Sequence, residues 1–155
     1  MYLDKIAFKE GSYGFFAEID YEDLQVYRKV RPMRCRALCL TCQQCIEKYL
    51  KQVIRERGAR PGDPALEGHN LVRAAMKAGY PGTDMYRQEL LSLGKLYFDG
   101  RYPNETDGYM FVEPTPAEVA KAIDIVEDVR AWVAETLNLS KSALISSLHK
   151  MNLGG

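Results

Sequence analysis

Apolar residues recur every three or four positions between Met33 and Arg57, and this period constrains the fold more than any other feature of the chain. Such spacing places the side chains on one face of an α-helix. Gly58 follows directly, as is typical where a helix ends. The apolar face consists of Leu38, Cys42, Cys45, Ile46, Tyr49 and Val53. We expect the opposite face to be solvated, and it consists of Gln43, Glu47, Lys51 and Arg55.

Four more segments show a helical period. A first helix is predicted over Phe16 to Val30, with Ile19, Leu24, Tyr27 and Val30 at roughly helical spacing. A short helix is predicted over His69 to Ala78 before Gly79, and another from a cap at Thr83 or Asp84 to about Gly100. The fifth begins at Thr115-Pro116-Ala117-Glu118, where a capping hydroxyl, a proline at the first helical position and a reciprocal glutamate coincide.

The rest of the chain shows no alternating, strand-like pattern that competes with these helices. Residues 1–15 are expected to form an irregular lead-in, and residues 139–155 a tail or one short helix. A chain of 155 residues can bury one sizeable core but not two ordinary ones. The sequence therefore predicts an all-α protein, an up-and-down bundle of four to five helices in one domain over residues 1–155.

Charge and hydropathy exclude several classes of protein. The chain has 21 Lys plus Arg and 21 Asp plus Glu, so no overall field draws it toward nucleic acid, and nucleic-acid binding is not indicated. No run of eighteen apolar residues is present to span a membrane. Because no secretion signal is apparent either, we expect a cytoplasmic protein.

Four cysteines, Cys35, Cys39, Cys42 and Cys45, lie within eleven residues of the long helix. Cys35 and Cys45 would lie about 15 Å apart along a helix axis, too far for one metal ion to be bound by all four sulfurs. Core packing is thus favoured over a metal site, with an exposed reactive thiol as the remaining alternative. No cofactor is predicted.

No phosphate loop, dinucleotide fingerprint, hydrolase elbow or metalloprotease motif occurs in the chain. The two histidines limit acid–base chemistry near neutral pH. His69 follows a loop rich in Pro and Gly and suits either a loop hydrogen bond or a ligand site, whereas His149 is interpreted as a surface residue. Lys48 and Lys51 fit either a solvated face or a ligand site. In Arg101-Tyr102-Pro103 the proline restricts the backbone conformation of Tyr102. This restriction either locks the local structure or fixes the direction of the Arg101 side chain.

Four short motifs resemble those of the HEPN family, named for higher eukaryotic and prokaryotic nucleotide-binding domains. Residues 44–51 show a Q-x-x-E-K-x-x-K pattern, 69–71 show H-x-L, 101–103 show R-Y-P, and Asp23-Leu24 is similar to an early D-L pair. The resemblance covers roughly residues 20–133, in the order the family shows.

The resemblance implies a helical bundle that usually pairs as a homodimer. RNA-cleaving members carry an Arg four to six residues before a His, and neither histidine here has one. The chain is therefore similar to the non-nuclease branch, often encoded beside small nucleotidyltransferases as in toxin–antitoxin pairs. The leading hypothesis is a non-catalytic protein that binds a nucleotide, another phosphate-bearing ligand or an acidic partner such as a nucleotidyltransferase. Candidate ligand residues are Lys48, Lys51, His69, Arg101 and Tyr102.

Two alternatives stay open. One is a ribonuclease or toxin with a non-standard site, for instance His69 with Arg73 or Arg101, and the other is a purely structural interaction subunit. For the homodimer we expect an interface along the fifth helix, because its apolar face is wider than one core would cover. The interface candidates are Ile125, Val129 and Trp132.

Overall fold

A computed structural model of the protein describes residues 5–99 and 113–139. Within these ranges the chain contains α-helices, one 3₁₀ turn at Pro64–Leu66, and no strand. The all-α prediction is confirmed. The α-helices are α1 Tyr13–Val30, α2 Cys35–Glu56, α3 Leu71–Ala78, α4 Arg87–Asp99 and α5 Pro116–Thr136.

Helix α2 is the centre of the bundle, and α1, α3, α4 and α5 all pack against it. Fourteen of its 22 residues are buried, so the helix is covered nearly all round. The expected solvated face is therefore wrong for Gln43, Glu47 and Lys51, which are all buried. The apolar stripe is confirmed as core, and so are the four cysteines, which are buried and unpaired.

Local capping chemistry explains where several helices begin. Ser12 caps α1 and Asn70 caps α3 through side-chain oxygens that accept backbone N–H bonds. Thr115 and Glu118 form the predicted capping box at the start of α5. Gly79 ends α3 at φ 74°, in the left-handed region that favours glycine.

Two elements differ from the prediction. Helix α4 begins at Arg87, because the Thr83 hydroxyl donates to the carbonyl of Tyr80 instead of capping a helix. Helix α1 does not present one apolar face: Leu24 is fully buried, whereas Ile19, Tyr27 and Val30 are exposed. The lead-in is irregular up to Ser12, and Phe8 packs on the core. The predicted tail, residues 139–155, lies outside the described residues apart from Leu139.

The wide apolar face of α5 is covered within the chain. Ile125 and Val129 are both 0% exposed, so the expectation that they remain uncovered for a partner is wrong. One side of α5 contacts α1, through Arg130, and the other contacts Tyr80 in the turn after α3, through Trp132. Helix α2 packs along α5 and α4 meets it as well, so neighbours from the same chain account for the width of the stripe. Among the described helices, none has the length and apolar character needed to cross a membrane.

Candidate functional site

A buried carboxylate on α2, that of Glu47, holds a cluster of polar side chains. Its Oε1 accepts from Gln43 Nε2 at 3.0 Å and lies 2.8 Å from His69 Nδ1. Its Oε2 accepts from Lys51 Nζ at 3.2 Å. We call these four residues, Gln43, Glu47, Lys51 and His69, the Glu47 cluster. Helical spacing explains it, because residues 43, 47 and 51 are one turn apart and lie on one face.

Lys51 joins the cluster to the loop before α3. Its ammonium also donates to the carbonyl of Gly68 at 2.9 Å. Gly68 has φ 79°, a conformation that a residue with a Cβ rarely adopts. The glycine thus lets the loop turn so that His69 arrives beside the same carboxylate. Since the Lys51 side chain is only 7% exposed, this charge depends on the carboxylate and the carbonyl for stabilisation.

The carboxylate also fixes the tautomer of His69. An ionised carboxylate only accepts hydrogen bonds, so the proton at this contact sits on Nδ1 of His69. Nδ1 is thus occupied by the carboxylate, and Nε2 is the other polar atom of the ring. The His69 side chain is 30% exposed, which makes it the part of the cluster most open to solvent.

One atom of the cluster has no hydrogen-bond partner in the part of the chain that the structure describes. Gln43 is fully buried, and among the described residues nothing donates to its Oε1. A buried acceptor of this kind is costly unless a water molecule or a ligand satisfies it.

The structure brings together some of the predicted ligand residues but not all of them. Lys51 and His69 share Glu47, whereas Lys48 turns toward α1 and donates to Asp20 at 2.6 Å. Burial raises the pKa of the Asp20 carboxyl, and the Lys48 hydrogen bond opposes that rise. Arg101 and Tyr102 lie outside the described residues. Glu47 was missed as a site residue, although its place in the Q-x-x-E-K-x-x-K pattern pointed to it.

Helix α4 packs closely on the loop that carries His69. A Cβ built on Gly94 would lie 3.5 Å from the backbone oxygen of His69 and 3.6 Å from the backbone nitrogen of Leu71. Both distances are ordinary van der Waals contacts, so α4 and the His69 loop are direct neighbours at Gly94. Helix α4 therefore borders the backbone of the loop that carries His69.

A second buried polar cluster joins α1, α2 and α5. Glu18 accepts from Arg130 Nε at 3.2 Å and Nη2 at 3.0 Å, and from the Tyr49 hydroxyl at 3.0 Å. Burial raises the pKa of the Tyr49 hydroxyl, so it remains a donor. Because every charged member is paired here, we interpret this cluster as a structural lock between helices.

A cavity of about 560 Å³ opens between α4 and α5, away from the Glu47 cluster. Charged residues on its wall are Lys95, Lys121, Glu89, Glu113 and Glu118. Three carboxylates against two ammonium groups disfavour a phosphate ligand there. We therefore place the candidate site at the Glu47 cluster on chemistry rather than on cavity size.

Among the described residues, no group of three or more His, Cys, Asp or Glu side chains is arranged to hold a metal ion.

These features define the protein as an all-helical bundle with a buried polar cluster on its central helix. The HEPN domain family matches residues 17–137, most of the chain. The protein belongs to the HEPN family. No curated protein and no solved structure matches the chain.

Proposed function

We propose that this HEPN protein binds a nucleotide or another phosphate-bearing ligand at the Glu47 cluster, with His69 in direct contact. The observation that carries the proposal is the convergence of Lys51 and His69 on one buried carboxylate. A carboxylate that accepts a hydrogen bond from Nδ1 fixes the orientation of an imidazole ring. Since Lys51 is already engaged by Glu47 and Gly68, its role is to position the cluster rather than to contact the ligand.

A nucleotide suits this site better than inorganic phosphate. It offers phosphate oxygens to the imidazole of His69, and its base and ribose offer donors as well as acceptors. The sequence motif Arg101-Tyr102-Pro103 supplies a guanidinium suited to phosphate and an aromatic ring suited to a base, so Arg101 and Tyr102 stay candidates by chemistry alone. This chemistry favours a nucleotide as the class of ligand.

Thermal shift and calorimetric titration with AMP, ATP and inorganic phosphate test the proposal. A ligand at a hundred times its Kd should stabilise the fold by about 2.7 kcal/mol. His69→Ala should abolish the nucleotide shift, and Lys77→Ala, an exposed cation on α3, should leave it intact. If no phosphate compound stabilises the wild type, the purely structural interaction subunit is the better description, and a nucleotidyltransferase the partner to test.

A second function is favoured by one observation, the contact of Glu47 with Nδ1 of His69. A carboxylate in that position prepares Nε2 of an imidazole to act as a general base. The same pair would suit RNA cleavage, in which a base removes the proton from a 2′-hydroxyl. Incubation with labelled RNA separates the two functions: cleavage by wild type that His69→Ala loses supports a ribonuclease, and equal cleavage by both proteins argues against one.

A further inference from the structure

The cavity of about 560 Å³ between α4 and α5 is separate from the Glu47 cluster, and its wall has the composition of a small-molecule site. Cavities of roughly 300 to 1,000 Å³ with mainly apolar walls and a few charged groups are where proteins usually bind small ligands. This wall suits the apolar body of an organic molecule. Its apolar part consists of Cys39, Leu93, Leu96, Pro114, Ala117 and Ala122.

Most of the charged groups on the wall are already engaged by the protein itself. Glu118 belongs to the capping box of α5. Glu113 accepts a hydrogen bond of 3.2 Å from the backbone N–H of Arg36, in the first turn of α2. The ammonium of Lys121 lies over the ring of Tyr86, 5.3 Å from its centroid. These contacts leave Glu89 and Lys95, both on α4, as the charges that a ligand would meet first.

These two remaining charges differ in their surroundings. Lys95 is exposed, so water solvates its ammonium group. Glu89 is partly buried, and within the described part of the chain its carboxylate makes no hydrogen bond and no ion pair. A carboxylate that has lost some of its water without gaining a partner is stabilised by a cation that binds beside it.

The electrostatic field at the floor of the cavity also favours a cation. Cys39 forms this floor, because it belongs to α2, which packs behind both α4 and α5. Burial raises the pKa of the Cys39 thiol, and the carboxylates of Glu118 and Glu113 raise it further. Their negative field therefore reaches the floor. Such a field stabilises a cation in the cavity and destabilises an anion.

We propose that this cavity binds a small amphipathic amine, whose apolar body lies against Leu93 and Leu96 and whose ammonium group pairs with Glu89. A metal ion is disfavoured, because hard cations need several oxygen ligands and most of the wall is apolar. The inference does not depend on the ligand proposed at the Glu47 cluster, since the two sites share no residue.

Calorimetric titration with a matched series of probes, phenylbutylamine, phenylbutanol and phenylbutyrate, tests the charge preference. The amine should bind roughly ten-fold more tightly than the carboxylate, with the alcohol between them. In NMR spectra the amine should shift the amide signals of Ser92 and Ala117, which line the cavity, but not that of Val26 on α1. The proposal is overturned if the carboxylate binds as tightly as the amine, or if the amine does not bind.

Substitutions with matched controls test the two parts of the site. Glu89→Gln keeps the size of the side chain and should weaken the amine roughly ten-fold while the alcohol binds as before. Glu67→Gln, at an exposed carboxylate outside the cavity, should change neither affinity.

Filling the cavity tests where the apolar body lies. Ala117 is exposed, so Ala117→Phe should leave the fold intact, reduce the space in the cavity and weaken both the amine and the alcohol. Ala131→Phe, at an exposed position further along α5 and outside the cavity, should weaken neither. If Glu89→Gln leaves the amine affinity unchanged the ion pair is wrong, and if Ala117→Phe leaves both affinities unchanged the site itself is wrong.

Discussion

Glu18 on α1 and Arg130 on α5 form a two-pronged ion pair, with Nε to Oε2 at 3.2 Å and Nη2 to Oε1 at 3.0 Å. The guanidinium also lies over the ring of Tyr21, 4.2 Å from its centroid. Because the pair joins residues 112 positions apart, it fixes the relative placement of the outer helices around α2.

Removing one member of this pair should destabilise the fold strongly. Glu18→Ala leaves the Arg130 guanidinium buried without its carboxylate and the Tyr49 hydroxyl without its acceptor. We expect a loss of about 3 to 5 kcal/mol in the free energy of unfolding, measured by urea denaturation. Asp84→Ala removes the acceptor of the exposed pair with Arg87 and should change that free energy by less than about 0.5 kcal/mol. Equal effects at both positions would contradict the buried role of Glu18.

Substitutions in the Glu47 cluster should also lower the free energy of unfolding, and two residues of the cluster can be compared with each other. Glu47→Ala deprives Lys51, His69 and Gln43 of a shared acceptor, and we expect a loss of about 3 kcal/mol or more. Gln43→Met keeps a similar volume and removes the unpaired Oε1, so its cost should be about 1 kcal/mol or less. Denaturant unfolding of both variants decides this. A Gln43→Met variant less stable than Glu47→Ala would show that the carboxylate is not the centre of the cluster.

The same residues show how far sequence reasoning extends. Period and capping chemistry identified α2 and the start of α5, because both signals are local to the chain. The burial of Gln43, Glu47 and Lys51 was missed, because the period separates polar from apolar faces but does not show which neighbours cover a polar one. Helix α1 was misinterpreted for the opposite reason. Its apolar residues lie on two faces, because Leu24 is in the core whereas Val26 and Val30 are exposed. Sequence spacing alone does not distinguish these two faces.

For the site, the structure brings the candidates His69 and Lys51 together at Glu47, whereas Lys48 pairs with Asp20 on α1. Lys48 and Lys51 are three residues apart and point to different neighbours, α1 and the Gly68 loop. A difference of about 60° around the helix is enough to separate them. Only the positions of the surrounding helices reveal which partner each lysine meets.

Adjacent leucines on α4 test the core assignment. Leu90 is fully buried, as its place in the apolar period predicts, whereas Leu91 is 44% exposed. Leu90→Ala should lower the free energy of unfolding by about 2 to 4 kcal/mol through lost burial and a residual cavity. Leu91→Ala, the same change one residue later, should cost less than about 1 kcal/mol. Thermal and urea unfolding of the two variants give the comparison, and similar values would show that α4 is rotated from the described position.

The cysteines predict how the protein responds to alkaline pH. Burial raises the pKa of Cys39 from 9.0 to about 12, and it also raises the pKa of Cys42 and Cys45. In the unfolded chain these thiols ionise near pH 9, whereas the folded protein keeps them protonated. The stability that burial of the neutral thiols provides is therefore complete below pH 9 and is lost as pH rises toward 12.

At pH 10 the loss should be about 1.4 kcal/mol for each of these thiols, measured as the change in unfolding free energy between pH 8 and pH 10. Cys39→Ala supplies the control, since it should show a smaller decline than wild type by about one thiol's share. The same burial makes the native thiols slow to react with a disulfide reagent at pH 8, with all four cysteines reacting once urea unfolds the chain. Rapid reaction of the native protein with several equivalents, or stability that is flat between pH 8 and pH 10, would place these sulfurs in solvent and contradict their position in the core.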